Sequence, residues 1–541
     1  MTERRRKRLT LVATILGSTI VFLDATVVQV ALPALSRDLD AGLADQQWVV
    51  EVYLLALVAL LLIGGSLGDQ FGRRRMFIAG LIGFGATSIL CAIAPSTELL
   101  IAARALQGLA GALLVPGSLA ILASTFEGAE RGKAVGTWTA WSGIATVIGP
   151  AGGGLLVDEL SWRWIFWVNV PLIVATVLLA LYAVRESRDP EATPVIDWTG
   201  ILFSAVAFGG PTFALIEQPR YGWGDPLVAI PLIAGIVSLA LFVVWEMRYR
   251  HPMMEVALFR IRNFSVTNGA TVLVYGGLYG GFFFITIFLQ QTAGYSALQA
   301  GLATTPISVM LFVLSPWFGK LASGTGPRLP MSLGPLVAGI GMLMLIRVDA
   351  DAAYVTDVLP GVLVFALGLA ATVAPLTATV LDSVDERHTG IASGINNGLS
   401  RVAGLLAIAA IGAVISAQFL GTVDDQLSGA TLSADARSAV EEAKEKPLGA
   451  PPTGDLAPAQ ADQIAAAVTE ANESSFHLGM GIAGGLMIIG GLVAAVGIQN
   501  PKRREIYPSR AATAGDCGHC PTEGEGRSHG AAEPAREPAR A

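Results

Sequence analysis

Charge is scarce in this chain of 541 residues: Asp, Glu, Lys and Arg together make up 14%. An ordinary soluble domain carries about 25%. Cysteine is scarcer still, with Cys91, Cys517 and Cys520 the whole supply, which excludes a disulfide-stapled secreted framework. The phosphate-cradling pattern GxxxxGK[ST] does not occur, so no means of using ATP is visible. No cluster of residues has metal-ligand spacing, and no soluble catalytic domain can be placed. The expectation is a protein that is not an enzyme and needs no cofactor or metal. CGHC, from Cys517 to Cys520, imitates a redox or zinc motif. It sits in a tail rich in Ala, Pro, Glu and Arg with no βαβ context, and two cysteines and a histidine leave zinc one ligand short. The net charge of −7 gives no argument for a nucleic-acid partner.

What the chain has in abundance is apolar length. Hydrophobic residues reach 53% and the mean hydropathy is +0.60. A bilayer span needs about 20 mostly apolar residues. On that measure helices are predicted near 9–32, 48–68, 76–95, 98–123, 133–156, 164–184, 198–216 and 227–246. Six more follow near 264–290, 298–320, 329–347, 356–381, 395–419 and 476–498. The fold class expected is all-α integral membrane, with fourteen transmembrane helices. MTERRRKR before the first run could imitate a signal peptide, but the run from Leu9 to Leu32 is long enough to span and reads as an uncleaved helix.

The basic residues orient these spans. Clusters fall at 4–8, 73–75, Arg131/Lys133, Arg185/Arg188, 248–262, Lys320/Arg328, Arg387 and 502–504, whereas the alternate loops hold only Arg37, Arg163, Arg220 and Arg347. The positive-inside rule then puts both termini in the cytoplasm. An internal repeat explains the number of spans. GSLGDQFGRRR at Gly65 and GKLASGTGPRL at Gly319 align Gly65, Leu67, Gly72 and Arg74 with Gly319, Leu321, Gly326 and Arg328. Glu130-Arg131 and Glu386-Arg387 match at almost the same offset. The predicted organisation is a basic terminus (1–8), a six-helix bundle (9–184), a two-helix insert (185–262), a second six-helix bundle (263–498) and a disordered cytoplasmic tail (499–541). The second bundle carries an outer loop, 420–474, in which SADARSAVEEAKEK reads as a short solvated helix.

GSLGDQFGRRR resembles the loop between the second and third helices of the major facilitator superfamily. RALQGLAGALLVP, headed by Arg104, resembles that family's fourth-helix motif, and GPAGGG (149–154) the fifth-helix motif associated with antiporters. LDATVVQVALP, WRWIFWVNVP and the fourteen spans are similar to its drug:proton antiporter branch. The departures are Gln70 where a basic residue is usual, Gln29 where Asn is common, and Ser323 in place of the loop aspartate in the second repeat. The resemblance implies that the 65–75 loop holds the cytoplasmic side closed and that the protein is an exporter.

The residues carry their own physics. Asp24 lies eight residues from the predicted outer end of its helix, about 12 Å, and Arg104 six residues from the same face, about 9 Å. At comparable depth each is costly without a partner. A carboxylate that alternately binds an arginine, a proton or a cationic substrate is a coupling device; a static pair joining two helices would look the same. Glu51 is a second acid for proton or substrate handling, although three residues from Trp48 it could reach interfacial water. In the gate loop Gly65 and Gly72 permit a tight turn, and Asp69 can pair with Arg73 or Arg75. Pro150 kinks the fifth helix, and Ala145, Gly149, Gly153 and Gly154 offer a small packing surface. Trp138, Trp141, Tyr275, Tyr279, Phe283, Asn396 and Asn397 are candidate pocket residues, since aromatic faces with a few amides suit hydrophobic or cationic ligands.

These readings converge on proton-driven export of hydrophobic or cationic drugs and antibiotics by alternating access, with a small-molecule substrate, protons and the lipid bilayer as partners. The location is the cell membrane, and the oligomeric state is left open. The alternatives are a dedicated exporter of one endogenous metabolite or siderophore, a proton-coupled importer, which acidified uptake would favour, and a membrane sensor, which a knockout altering signalling but not efflux would favour.

Overall fold

The computed structural model describes residues 2–188, 197–250, 253–385, 388–451 and 456–500, with only the backbone described at 61–66, 129, 140, 142–143 and 145–147. Glu386, Arg387, the cluster at 502–504 and the CGHC tail lie outside the described residues, as do the surroundings of Gly65 and Ala145.

The helices in chain order are α1 (Glu3–Leu39), α2 (Leu43–Phe71), α3 (Arg73–Ala92), α4 (Thr97–Thr125), α5 (Gly128–Glu159), α6 (Trp164–Trp167), α7 (Asn169–Ala183), α8 (Trp198–Tyr221) and α9 (Pro226–Arg248). They continue with α10 (Arg262–Gln291), α11 (Ala297–Thr325), α12 (Arg328–Met344), α13 (Leu359–Asp382), α14 (Thr389–Gln426), α15 (Ala434–Glu445) and α16 (Pro458–Gly497). Among the described residues, 13 helical segments are long and apolar enough to cross a bilayer, α6 and α7 counting as one. Helix α5, 32 residues long, has the length of a further span, with glycines and hydroxyl residues lowering its hydropathy. Fourteen spans are consistent with this layout. Helix-interior prolines such as Pro33, Pro116, Pro150 and Pro375 are tolerated because packed neighbours re-satisfy the backbone groups they release.

The observed elements depart from the expected spans in three places. The sixth span, expected to be continuous over 164–184, is broken between α6 and α7. Pro171 has no N–H for the Trp167 carbonyl, so the ladder cannot run through. Helices α1, α14 and α16 run to 37, 38 and 40 residues, well past the membrane requirement: Glu, Arg and Lys propagate the start of α1, and the ends of α14 and α16 pack on each other and on α15. Helix α15 is not wholly solvated. It turns Ala436, Val440 and Ala443 inward against Phe419, Val423, Ile464 and Val468 on the extended ends of α14 and α16.

Ion pairs fix which ends share a face. Lys7 pairs with Glu130 at 2.7 Å and Arg185 with Glu3 at 3.9 Å, so the starts of α1 and α5 lie beside the end of α7. We call this the basic face. At the opposite face Lys446, after α15, reaches Asp40 after α1 at 2.6 Å, and this hydrogen bond holds the Lys446 ammonium above its usual range. Leu448, fully buried with a left-handed φ of 63°, donates its N–H to Asn472 and accepts from Thr292 through its carbonyl.

The two loops aligned in the sequence share local geometry. Gly72 and Gly326 end α2 and α11 with φ of 112° and 87°, conformations that disfavour any Cβ. Glu186, just after α7, accepts from the Arg74 N–H at 3.0 Å, and Asn500, just after α16, accepts from the Arg328 N–H at 3.0 Å. Each arginine then bonds a carbonyl near the end of the same helix, Val184 or Ala495.

Candidate functional site

Asp24, in the middle of α1, is 2% exposed. Arg104 of α4 donates to its Oδ2 at 2.5 Å, while Gln107 and Asn169 each donate to Oδ1 at 3.2 Å. Three elements converge for this. The i, i+3 spacing of Arg104 and Gln107 puts both on one face of α4, and Asn169 is the first residue after the α6–α7 break. Arg104 also donates to the Val49 carbonyl and the Gln107 amide oxygen, at 3.1 and 2.7 Å. Its guanidinium lies 4.1 Å above the Tyr53 ring. Ser88 accepts from Gln107 at 2.9 Å. The carboxylate is therefore paired, solvated by amides and closed off from water, as a buried charge must be.

Glu51 is its opposite. It sits on α2 two residues from Val49, is wholly buried, and neither carboxyl oxygen has a hydrogen-bond partner. The interfacial water that Trp48 suggested is out of reach. The Trp48 indole N–H donates instead to Glu217 of α8 at 2.8 Å.

Asp69 of α2 pairs with Arg73 of α3 across the Gly72 turn, at 2.7 Å. Arg75 lies 3.7 Å from Glu186, and the Glu186 carboxylate occupies the space beside Gly72 where a Cβ would stand. The partners of this loop come from α2, α3 and the end of α7.

Helix α5 meets two neighbours through its glycines. A Cβ on Gly149 or Gly153 would strike Thr26 or Val27 of α1. One on Gly154 would stand 2.5 Å from the Ala297 carbonyl oxygen of α11, and Gly301 faces Pro150 in the same way. At the end of this crossing Asp158 caps α11. It accepts from Ser296 Oγ at 2.7 Å and from the N–H groups of Ala297 and Leu298 at 3.1 and 2.8 Å, at the positive end of the helix dipole. Gln47 and Gln290 add bonds to the Ile408 and Val30 carbonyls, at 2.9 and 3.0 Å. These ties between the first six spans and the last six cluster toward the opposite face. Asp158→Ala should lower the stability of the folded protein by about 1–2 kcal/mol, measured by denaturation in detergent, with Asp158→Asn retaining part of the loss.

The aromatic and amide candidates do not form one cluster. Trp138 is buried and donates to Ser18 at 3.0 Å. Phe283 is a core residue against Phe284. Asn396 donates to Asn268 and Thr271 of α10, at 3.0 and 2.8 Å. Trp141 is exposed, Asn397 is exposed beside the Ser393 carbonyl, and Tyr275 and Tyr279 lie 6.0 Å apart. Sequence reasoning missed Gln107, Asn169, Ser88, Glu186 and Asp158. Gln107 and Asn169 stood inside quoted motifs; their in-membrane amides were the available signal.

Residues 14–408 match the family model described as Major Facilitator Superfamily. The chain belongs to that superfamily. It is 33% identical over 517 residues to the tetracenomycin C resistance and export protein of Streptomyces glaucescens, covering 94% of this chain and 95% of that one. The multidrug resistance protein Stp of Mycobacterium tuberculosis is 36% identical, with 79% of each chain covered. The puromycin resistance protein pur8 of Streptomyces alboniger is also 36% identical, with 75% of this chain and 81% of that one covered. Among solved structures, a bacterial homologue of the lysosomal transporter Spinster, inward-facing and unoccupied, superposes with a TM-score of 0.65 at 15% identity over 92% of this chain and 99% of that one. The protein is thus a multi-pass membrane transporter of this superfamily whose relatives include drug-resistance and export proteins.

Proposed function

We propose that this transporter exports hydrophobic or cationic small molecules, antibiotics among them, in exchange for protons, with both termini in the cytoplasm. The observation that carries the reading is the buried Asp24–Arg104 pair. A membrane-buried carboxylate bound by one arginine can exchange that partner for a proton or for a substrate cation, and each exchange frees Arg104 and the two amides to rearrange. Glu51, unpartnered and buried, is a second proton-holding group. The contacts between the first six and the last six spans gathered at the opposite face suit a state closed there and open toward the basic face. The glycine-lined α5 crossings and the 65–75 loop, whose members are Gly65, Asp69, Gly72, Arg73 and Arg75, act as the two gates. Trp141, Tyr275, Tyr279 and Asn397 remain candidates for contact with substrate, and Trp138, Phe283 and Asn396 for shaping the walls behind them.

A dedicated exporter of a single compound is the second reading. It is favoured by the near end-to-end match to a protein named for resistance to and export of one compound.

The test uses inside-out vesicles holding a proton gradient read by a pH-sensitive dye. Added hydrophobic cations should release protons in wild type, and Asp24→Asn at equal expression should abolish the release. Wild-type vesicles silent to every compound would defeat broad drug export. Full activity in Asp24→Asn with loss in Glu51→Gln would move the coupling to Glu51.

A further inference from the structure

A cavity of about 290 Å³ lies in the basic-face half of the molecule, between α2, α8, α9 and α14. Its walls include Leu55 of α2, Phe208 of α8, Phe242 of α9, Met254 of the following segment, and Gly394 and Gly398 of α14. Its origin is visible along α14. Further along the helix the space beside Gly404 and Gly412 is filled by Tyr279 and Gln47, whereas a Cβ on Gly390 or Gly398 would meet nothing within 4 Å. Helix α14 is thus closely packed between Gly404 and Gly412 and stands clear of its neighbours toward its start. The insert helix α8 packs on both α14 and α2 and walls the gap. Helices α8 and α9 thus supply Ser204, Ala205, Phe208 and Phe242 to the cavity wall.

The lining selects the ligand. Phe208 and Phe242 offer aromatic faces, Met253 and Met254 supply flexible thioethers that adapt to differing shapes, and Ser204 supplies a hydroxyl. The volume falls at the small end of drug-sized pockets, enough for a ring system and too small for a whole phospholipid. We propose that this cavity is a lateral binding site for the apolar, aryl-bearing part of an export substrate, with the two-helix insert as its outer wall. The proposal rests on the export reading above.

The open glycines provide the test. Gly398 lines the cavity and a Cβ there meets nothing within 4 Å, and Leu is a better helix former than Gly, so Gly398→Leu should fold and take up cavity space. Gly421 of α14 also has nothing within 4 Å and lies toward the far end of that helix, so Gly421→Leu is the matched control. Binding of tetraphenylphosphonium is measured on the full-length protein in phosphatidylcholine nanodiscs. Gly398→Leu should weaken it about tenfold or more, and Gly421→Leu should leave it within about twofold. Unchanged binding in Gly398→Leu overturns the proposal. So does a phospholipid seen by native mass spectrometry on wild type and lost from Gly398→Leu while probe affinity stays the same, for the pocket is then a lipid site. If wild type neither binds the probe nor releases protons on addition of any compound, the export reading falls and takes this site with it. If wild type does both and Gly398→Leu keeps both, only the lateral site falls.

Discussion

Replacing Arg104 by alanine should abolish transport and destabilise the folded protein by about 3–5 kcal/mol. The loss comes less from the missing attraction than from what stays behind. Asp24 is 2% exposed, and two neutral amides cannot replace a guanidinium held at 2.5 Å. Removing both charges should behave differently. Asp24→Asn/Arg104→Gln leaves no unpaired ion, so most of the stability should return, while coupled transport should stay absent. Thermal unfolding in detergent and the vesicle proton assay read the two effects separately. A double variant that regained both stability and proton release would mean that the pair only joins α1 to α4.

The second large effect is expected at Gly154. A side chain there meets the Ala297 carbonyl oxygen at 2.5 Å and the Leu298 Cα at 2.6 Å. Both are backbone atoms, which cannot rotate away, so Gly154→Leu must force α5 and α11 apart. Overpacking costs about 1–3 kcal/mol, charged only to conformations in which the two helices touch here. Transport should fall to background, with a cysteine at Gln290 becoming more reactive to an impermeant maleimide. Gly152→Leu is the control, because its nearest neighbour would be Ile148 of its own helix at 3.8 Å; it should transport normally. Equal loss in both variants would remove the crossing from the mechanism.

The spans were legible because a bilayer demands long apolar runs, and Asp24 and Arg104 stood out because charge in such runs is costly. That the two share a depth followed from counting residues along antiparallel helices, and the 2.5 Å contact agrees with the count. Asn169 was not legible. It lies 145 residues from Asp24 in the chain, and only the packing of α7 on α1 shows which in-membrane amide meets the carboxylate. Asp158 was hidden for another reason. Its partners, the Ser296 hydroxyl and the first N–H groups of α11, lie about 140 residues away, and nothing near Asp158 in the sequence points to them. The cavity beside α14 was equally silent, since a glycine packed against a neighbour and one facing empty space are the same letter.

The two anchoring residues after α7 and α16 have a consequence for ionic strength. Glu186 and Asn500 make the same bond to the repeated loop, but one is a carboxylate within 4.0 Å of two arginines and the other an uncharged amide. Counterions weaken the first kind of anchor and leave the second almost untouched. Two loops alike in backbone would therefore respond unequally to added salt, the first becoming the looser of the pair. Two loops of matching backbone thus carry, at one matched position, a salt-sensitive anchor in the first and an insensitive one in the second.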